Sequence, residues 1–115
     1  MKPAAKRVLK PKPPLEKEIQ KQIVRFLNLR GWWVYSTSQG YRKERGGTRT
    51  TPGLPDLYAI GYQRSLWIEV KRPGGKVRAA QAQFAQLCDR YEIPHLIAYS
   101  LQDVMDYLSP SQDQP

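Results

Sequence analysis

Acidic residues are scarce in this chain: 10 Asp and Glu stand against 19 Lys and Arg in 115 residues, a formal net charge of +9. An imbalance of that size calls for a polyanionic partner, either nucleic acid or an anionic membrane surface. Cysteine is scarcer still. Cys88 is alone and His95 is the single histidine, so no internal disulfide can form and no Cys/His cluster has zinc-ligand spacing. Any bound metal would therefore be held by oxygen. No apolar run approaches the roughly 18–20 residues of a membrane span, and the N-terminus lacks the apolar stretch of a signal peptide. Internal repeats are absent. What remains is the expectation of a soluble, cytoplasmic nucleic-acid binder.

A hydrophobic share of 40% is enough for one modest core, hence one domain. Residues 1–14 carry five basic residues, no acid and four prolines, and read as a mobile basic arm. The folded part is expected over 15–109, with a polar tail at 110–115. Leu15 to Arg30 is predicted helical, with Leu15, Ile19, Ile23, Phe26 and Leu27 on one stripe and Gly31 as the stop. On that wheel Glu16 lies at the stripe's edge, leaning toward the core, and Glu18 lies roughly twice as far round, facing solvent. Trp32–Ser36 reads as a strand, with one of Trp32 and Trp33 in the core and the other free to stack on a base. The segment from Gln39 to Gly53 holds five glycines and prolines and four basic residues, and reads as a functional loop. Asp56–Gly61 and Leu66–Lys71 make a hairpin across Tyr62–Ser65. A second helix follows from about Arg78 to Tyr91, with Ala80, Phe84, Leu87, Cys88 and Tyr91 as its stripe. His95–Ser100 is a last strand and Leu101–Leu108 a closing helix. The order α-β-β-β-α-β-α implies an α/β fold, a small mixed β-sheet flanked by helices. His95 and Cys88 read as structural residues.

Strand residues two apart share a face, so Glu69 and Lys71 project together, with Trp67 beside them. If the hairpin turns between Tyr62 and Gln63, Asp56 stands opposite Glu69, with Cβ atoms about 4.5–5.5 Å apart. Carboxylates that close repel unless a cation lies between them, and Mg²⁺ or Mn²⁺ favours such hard oxygen ligands. A register slip of one residue would separate the two carboxylates. A divalent ion makes water nucleophilic at neutral pH and stabilises charge on phosphoryl oxygens, and Lys71 beside it can orient or deprotonate that water or neutralise the transition state. Gln81 sits at the rim of its helix stripe, as Glu16 does on the first helix, both turned toward the sheet.

Gly53-Leu-Pro-Asp56-Leu followed by Ile68-Glu69-Val70-Lys71 resembles the PD-(D/E)XK nuclease signature. With Glu16-Lys-Glu-Ile-Gln20, and Lys71-Arg-Pro-Gly-Gly-Lys followed by Gln81, the pattern resembles the virus-type replication–repair (VRR-Nuc) branch, over about residues 15–100. The resemblance implies a restriction-endonuclease-like core. It implies metal ligation by Asp56, Glu69 and the Val70 carbonyl, with Glu16 joining directly or through water. Lys71 would be the catalytic lysine, and Gln81 would orient Lys71 or the phosphate. It further implies a structure-specific DNA nuclease acting on branched DNA such as flaps or Holliday junctions, in a phage or bacterium, and able to work as a homodimer. Exposed aromatic and apolar residues, among them Trp32 or Trp33, Tyr58, Tyr62 and Leu66, hint at the same dimer. The basic loop precedes Asp56, so Arg42, Lys43, Arg45 and Arg49 are expected to contact phosphates, with Arg72, Lys76 and Arg78 as further DNA contacts. Two rival readings are a non-catalytic DNA-binding module on a degenerate nuclease fold and an RNA-binding basic protein.

Overall fold

A computed structural model describes residues 12–37 and 52–109. Most of the basic arm, the tail 110–115, and the loop cations Arg42, Lys43, Arg45 and Arg49 lie outside the described residues. The elements are α1 (Glu16–Leu29), β1 (Trp33–Ser36), β2 (Leu57–Gly61), β3 (Arg64–Val70), α2 (Ala79–Arg90), β4 (His95–Ala98) and α3 (Leu101–Leu108). They form a small α/β fold around one four-stranded mixed sheet, ordered β1-β2-β3-β4. The first three strands are antiparallel and β4 runs parallel to β3.

Alternation along the strands divides the sheet into two faces. Leu57 and Ala59 of β2, Leu66, Ile68 and Val70 of β3, and Ala98 of β4 point one way and are buried against Ile19, Ile23 and Leu27 of α1 and Val104 of α3. On the other face Tyr58 packs on Trp67, Trp67 meets Phe84 of α2 edge-on, and Phe84 reaches His95. One helix pair thus covers the apolar face, while α2 covers part of the face that carries Glu69 and Lys71. Gly31, with φ +87, makes the left-handed stop that α1 needs before the chain turns into β1.

Several expectations are corrected. Leu15 is no core residue: it caps α1 and is 54% exposed. Of the expected α2 stripe, Ala80, Phe84 and Cys88 do turn inward, with Gln81 beside them, whereas Leu87 and the C-cap residue Tyr91 are exposed. Leu66 is buried in the core, which removes it from the exposed apolar residues. The expectation that one tryptophan is core and the other is not holds: Trp32 packs against the core and over Gly61, whereas Trp33 is exposed and stacks on Tyr35. The hairpin turn is tighter than Tyr62–Ser65: β3 begins at Arg64, and Gln63 takes a positive φ of 58°. Glu16, like Glu18, is exposed and not turned into the core.

Candidate active site at the ends of the central strands

Leu57 pairs with Ile68 and Tyr58 with Trp67, which sets Asp56 opposite Glu69 one step beyond the strand end. Backbone bonding holds Asp56 there. Its carbonyl accepts from the Thr37 amide at 2.9 Å, and its Oδ2 accepts from the Val70 amide at 2.8 Å. The Thr37 hydroxyl also donates to the Pro55 carbonyl at 2.8 Å, tying the end of β1 to the segment before Asp56. Gly53 lets that segment lie against α2: its φ is +85, and a Cβ there would clash with the Ala80 carbonyl oxygen. Glycine alone meets both demands.

Glu69 and Lys71 are the two buried charged residues among those described, at 3% and 6% exposure. Lys71 Nζ lies 3.5 Å from Glu69 Oε2, and the Lys71 amide donates to the Ala98 carbonyl at 2.9 Å, continuing the β3–β4 ladder. Gln81 Nε2 donates to the same Glu69 oxygen at 2.8 Å, while its Oε1 accepts from the Arg78 amide at the start of α2. Both ends of the amide are thus engaged, so Gln81 fixes the Glu69 carboxylate from the helix side.

The two acids of α1 have different tasks. Glu18 Oε1 accepts from the Leu15 amide at 3.1 Å and so closes the helix N-terminus. Glu16 makes no such bond among the described residues, and its charge acts on both Asp56 and Glu69. Arg72, Lys76 and Arg78 are exposed along the segment joining Lys71 to α2.

The electrostatics follow from the crowding. Burial is the largest cause raising the Glu69 carboxyl, the facing Asp56 charge adds to it, and Lys71 pulls the other way; the result lies at about 7. Asp56 is also raised, first by burial, with the Val70 amide opposing and the Glu16 charge assisting. Two carboxylates and a third nearby, with one lysine among them, form a site short of positive charge. Among the described residues no three His, Cys, Asp or Glu side chains gather into one ligand set. A magnesium-type site does not need three, because that ion is commonly held by one or two carboxylates and keeps several waters. Oxygen donors with excess negative charge fit Mg²⁺ or Mn²⁺ and suit no softer metal.

A stability prediction follows from Glu69. Its pKa in the fold lies above the ordinary 4.5. Below about 4.5 both folded and unfolded chains hold the proton. Between that value and about 7 the folded chain alone keeps it, so the metal-free protein loses stability as pH rises through this window. Glu69→Gln removes the titration. Its melting temperature should match the wild type near pH 4.5 and exceed it by pH 8, with Mg²⁺ or Mn²⁺ narrowing the gap at pH 8 by stabilising the wild type. A gap that does not vary with pH would mean that Glu69 ionises freely.

Protein-family models, curated proteins and solved structures were each compared with this chain, and none matches it.

Proposed function

We propose that the chain is a metal-dependent, structure-selective DNA endonuclease of the VRR-Nuc type, on a restriction-endonuclease-like core, working in the cytoplasm of a bacterium or phage-infected cell. The observation carrying this reading is the convergence of Asp56, Glu69, Lys71 and Gln81 where the central strands β2 and β3 begin and end, with Glu69 held by a lysine and a glutamine. Structural carboxylates are seldom placed opposite one another with both pKa values raised; such pairs cluster at functional sites, and a cation bound between them would keep both charged.

Asp56, Glu69 and the Val70 carbonyl would hold Mg²⁺ or Mn²⁺, with Glu16 joining directly or through water. When bound, the ion supplies a water of lowered pKa and positive charge beside the phosphoryl oxygens. The chain's own residues do the rest. Lys71, buried and 3.5 Å from Glu69, orients or deprotonates the attacking water, or neutralises charge growing on the phosphate. The water oxygen bonds to phosphorus, the bond to the leaving sugar oxygen breaks, and that oxygen takes up a proton. Gln81 keeps Glu69 from swinging onto Lys71 alone. Arg72, Lys76 and Arg78 contact phosphates flanking the cut.

Branched DNA is the proposed substrate, and a two-fold dimer would present two centres to its two strands. Trp33 and Tyr62, 56% and 87% exposed, are available to such an interface. The test uses a panel of labelled flaps, splayed arms, four-way junctions and linear duplexes in Mg²⁺. Branched members should be cut at least about tenfold faster than linear ones, near their branch points. Equal rates on all substrates would remove structure selectivity and leave a general nuclease. Light scattering on the same preparation should give twice the 13.3 kDa chain mass, and a monomer mass with and without junction DNA would remove the dimer.

The rival is a DNA-binding module without catalysis. DNA that is bound but never cut in either metal would establish it.

A further inference from the structure

α1 carries a row of cations that the proposed chemistry does not use. Lys17, Lys21 and Arg25 are spaced four residues apart, all three exposed, and form one wall of a groove of about 800 Å³ between α1 and the β1 edge. Val24 and Val34 supply apolar lining and Gln20 and Asn28 supply amides, while among the described residues no acid lines the groove. None of the three cations is in an ion pair among the described residues, where the pair found is Lys71–Glu69. A solvated helix face commonly intersperses acids with its bases, at positions where they pair. Both acids of α1 are instead confined to its first turn, one capping the helix and the other facing the carboxylate site.

The groove's position gives the row a direction. Its α1 wall begins beside Glu16, whose charge reaches Asp56 and Glu69. Its β1 wall ends at Ser36, next to Thr37, which binds the Asp56 carbonyl. Both walls therefore start at the candidate active site and run away from it. From Lys17 to Arg25 the helix rises about 12 Å, a length over which one strand of duplex DNA carries about three to four phosphates.

We infer that the α1–β1 groove is a second DNA contact surface, in which Lys17, Lys21 and Arg25 bind successive phosphates of one strand leaving the cleavage site. The inference rests on the nuclease reading for its polarity, but not for binding itself. The groove's apolar lining faces sugars while the cations face phosphates, so the contact is independent of base sequence. It also differs from the contacts proposed for Arg72, Lys76 and Arg78, which lie on the β3–α2 connection.

The test compares two full-length variants of equal net charge. One is Lys17→Gln/Lys21→Gln/Arg25→Gln; the control is Arg30→Gln/Arg64→Gln/Arg90→Gln, which removes three exposed cations elsewhere. Affinity for a labelled branched DNA is measured without divalent metal across a salt series, with melting temperature as the check on folding. Losing three phosphate contacts should lower the magnitude of the log–log salt slope by about two to three and weaken binding at fixed salt at least tenfold, while the control moves the slope by less than one. In Mg²⁺ at saturating DNA the groove variant should keep its single-turnover rate. A groove variant indistinguishable from the control overturns the inference while leaving the nuclease reading intact. Slope loss in the groove variant, beside a wild type that never cuts, would retain the groove and remove the nuclease.

Discussion

Glu69→Gln is expected to reduce single-turnover DNA cleavage by about three orders of magnitude or more, the scale of removing several kcal/mol of metal-borne charge stabilisation. Glutamine keeps the shape of the side chain and can still accept from Gln81 and Lys71, so the fold should survive. It should in fact gain, because burial and the facing Asp56 make the Glu69 charge unfavourable in the metal-free chain. Loss of activity together with raised stability is the mark of a group retained for chemistry. Asp56→Asn should do the same, and asparagine is the better choice than alanine. The Asp56 side chain accepts from the Val70 amide, and alanine would leave that donor without its partner. DNA affinity of both variants in metal-free buffer should stay within a fewfold of wild type. Either variant cutting at the wild-type rate would remove the site.

Lys71→Ala should lower the single-turnover rate by about 10²-fold or more, the usual scale for a positioned acid–base group. Its ammonium is buried and placed on the Glu69 oxygen that also receives Gln81. The alternative is that Lys71 only offsets the negative charge of Asp56 and Glu69, a task a divalent ion would perform in its place. Rate measured against metal concentration separates the two. A defect that persists at saturating Mg²⁺ assigns Lys71 to the water or the transition state. Recovery to the wild-type rate at high metal would assign it to support of the ion.

Much of the geometry was legible from period-two alternation. Counting the hairpin about Tyr62 and Gln63 pairs Asp56 with Glu69, and the observed Leu57–Ile68 pairing follows the same count. That inference worked because Ile68 and Val70 are apolar on one face, while Glu69 and Lys71 are polar on the other. The α2 stripe was harder, because Ala79, Ala80, Ala82 and Ala85 are spread around that helix and give its wheel no clear direction. Phe84 against Trp67 set the rotation, and a contact between residues so far apart in sequence leaves no periodic trace. Leu66 was misplaced for a related reason: a sequence shows which residues share a face, not whether a helix covers that face.

The choice between Glu16 and Glu18 had a local signal that the helical wheel ignored. An acid three residues after the cap reaches back to the cap's amide, as Glu18 does to Leu15, and as Gln81 does to Arg78 on α2. The signal is easily overlooked because neither cap is Ser or Thr. Thr37 left no local sign at all. Its bonds to Pro55 and Asp56 join residues 18 and 19 apart, and only the β1–β2 pairing brings them together.

The most direct test of the central claim follows one labelled branched DNA through a single reaction. Purified wild-type protein is mixed with the DNA in Mg²⁺, the metal is removed with EDTA midway, and excess Mg²⁺ is then restored. Scission should begin, stop within the mixing time, and resume at its original rate, while an Asp56→Asn preparation taken through the same steps yields no product. Cutting that continues in EDTA, equal cutting by the Asp56→Asn preparation, or no scission in either Mg²⁺ or Mn²⁺ would contradict a metal nuclease centred on Asp56 and Glu69.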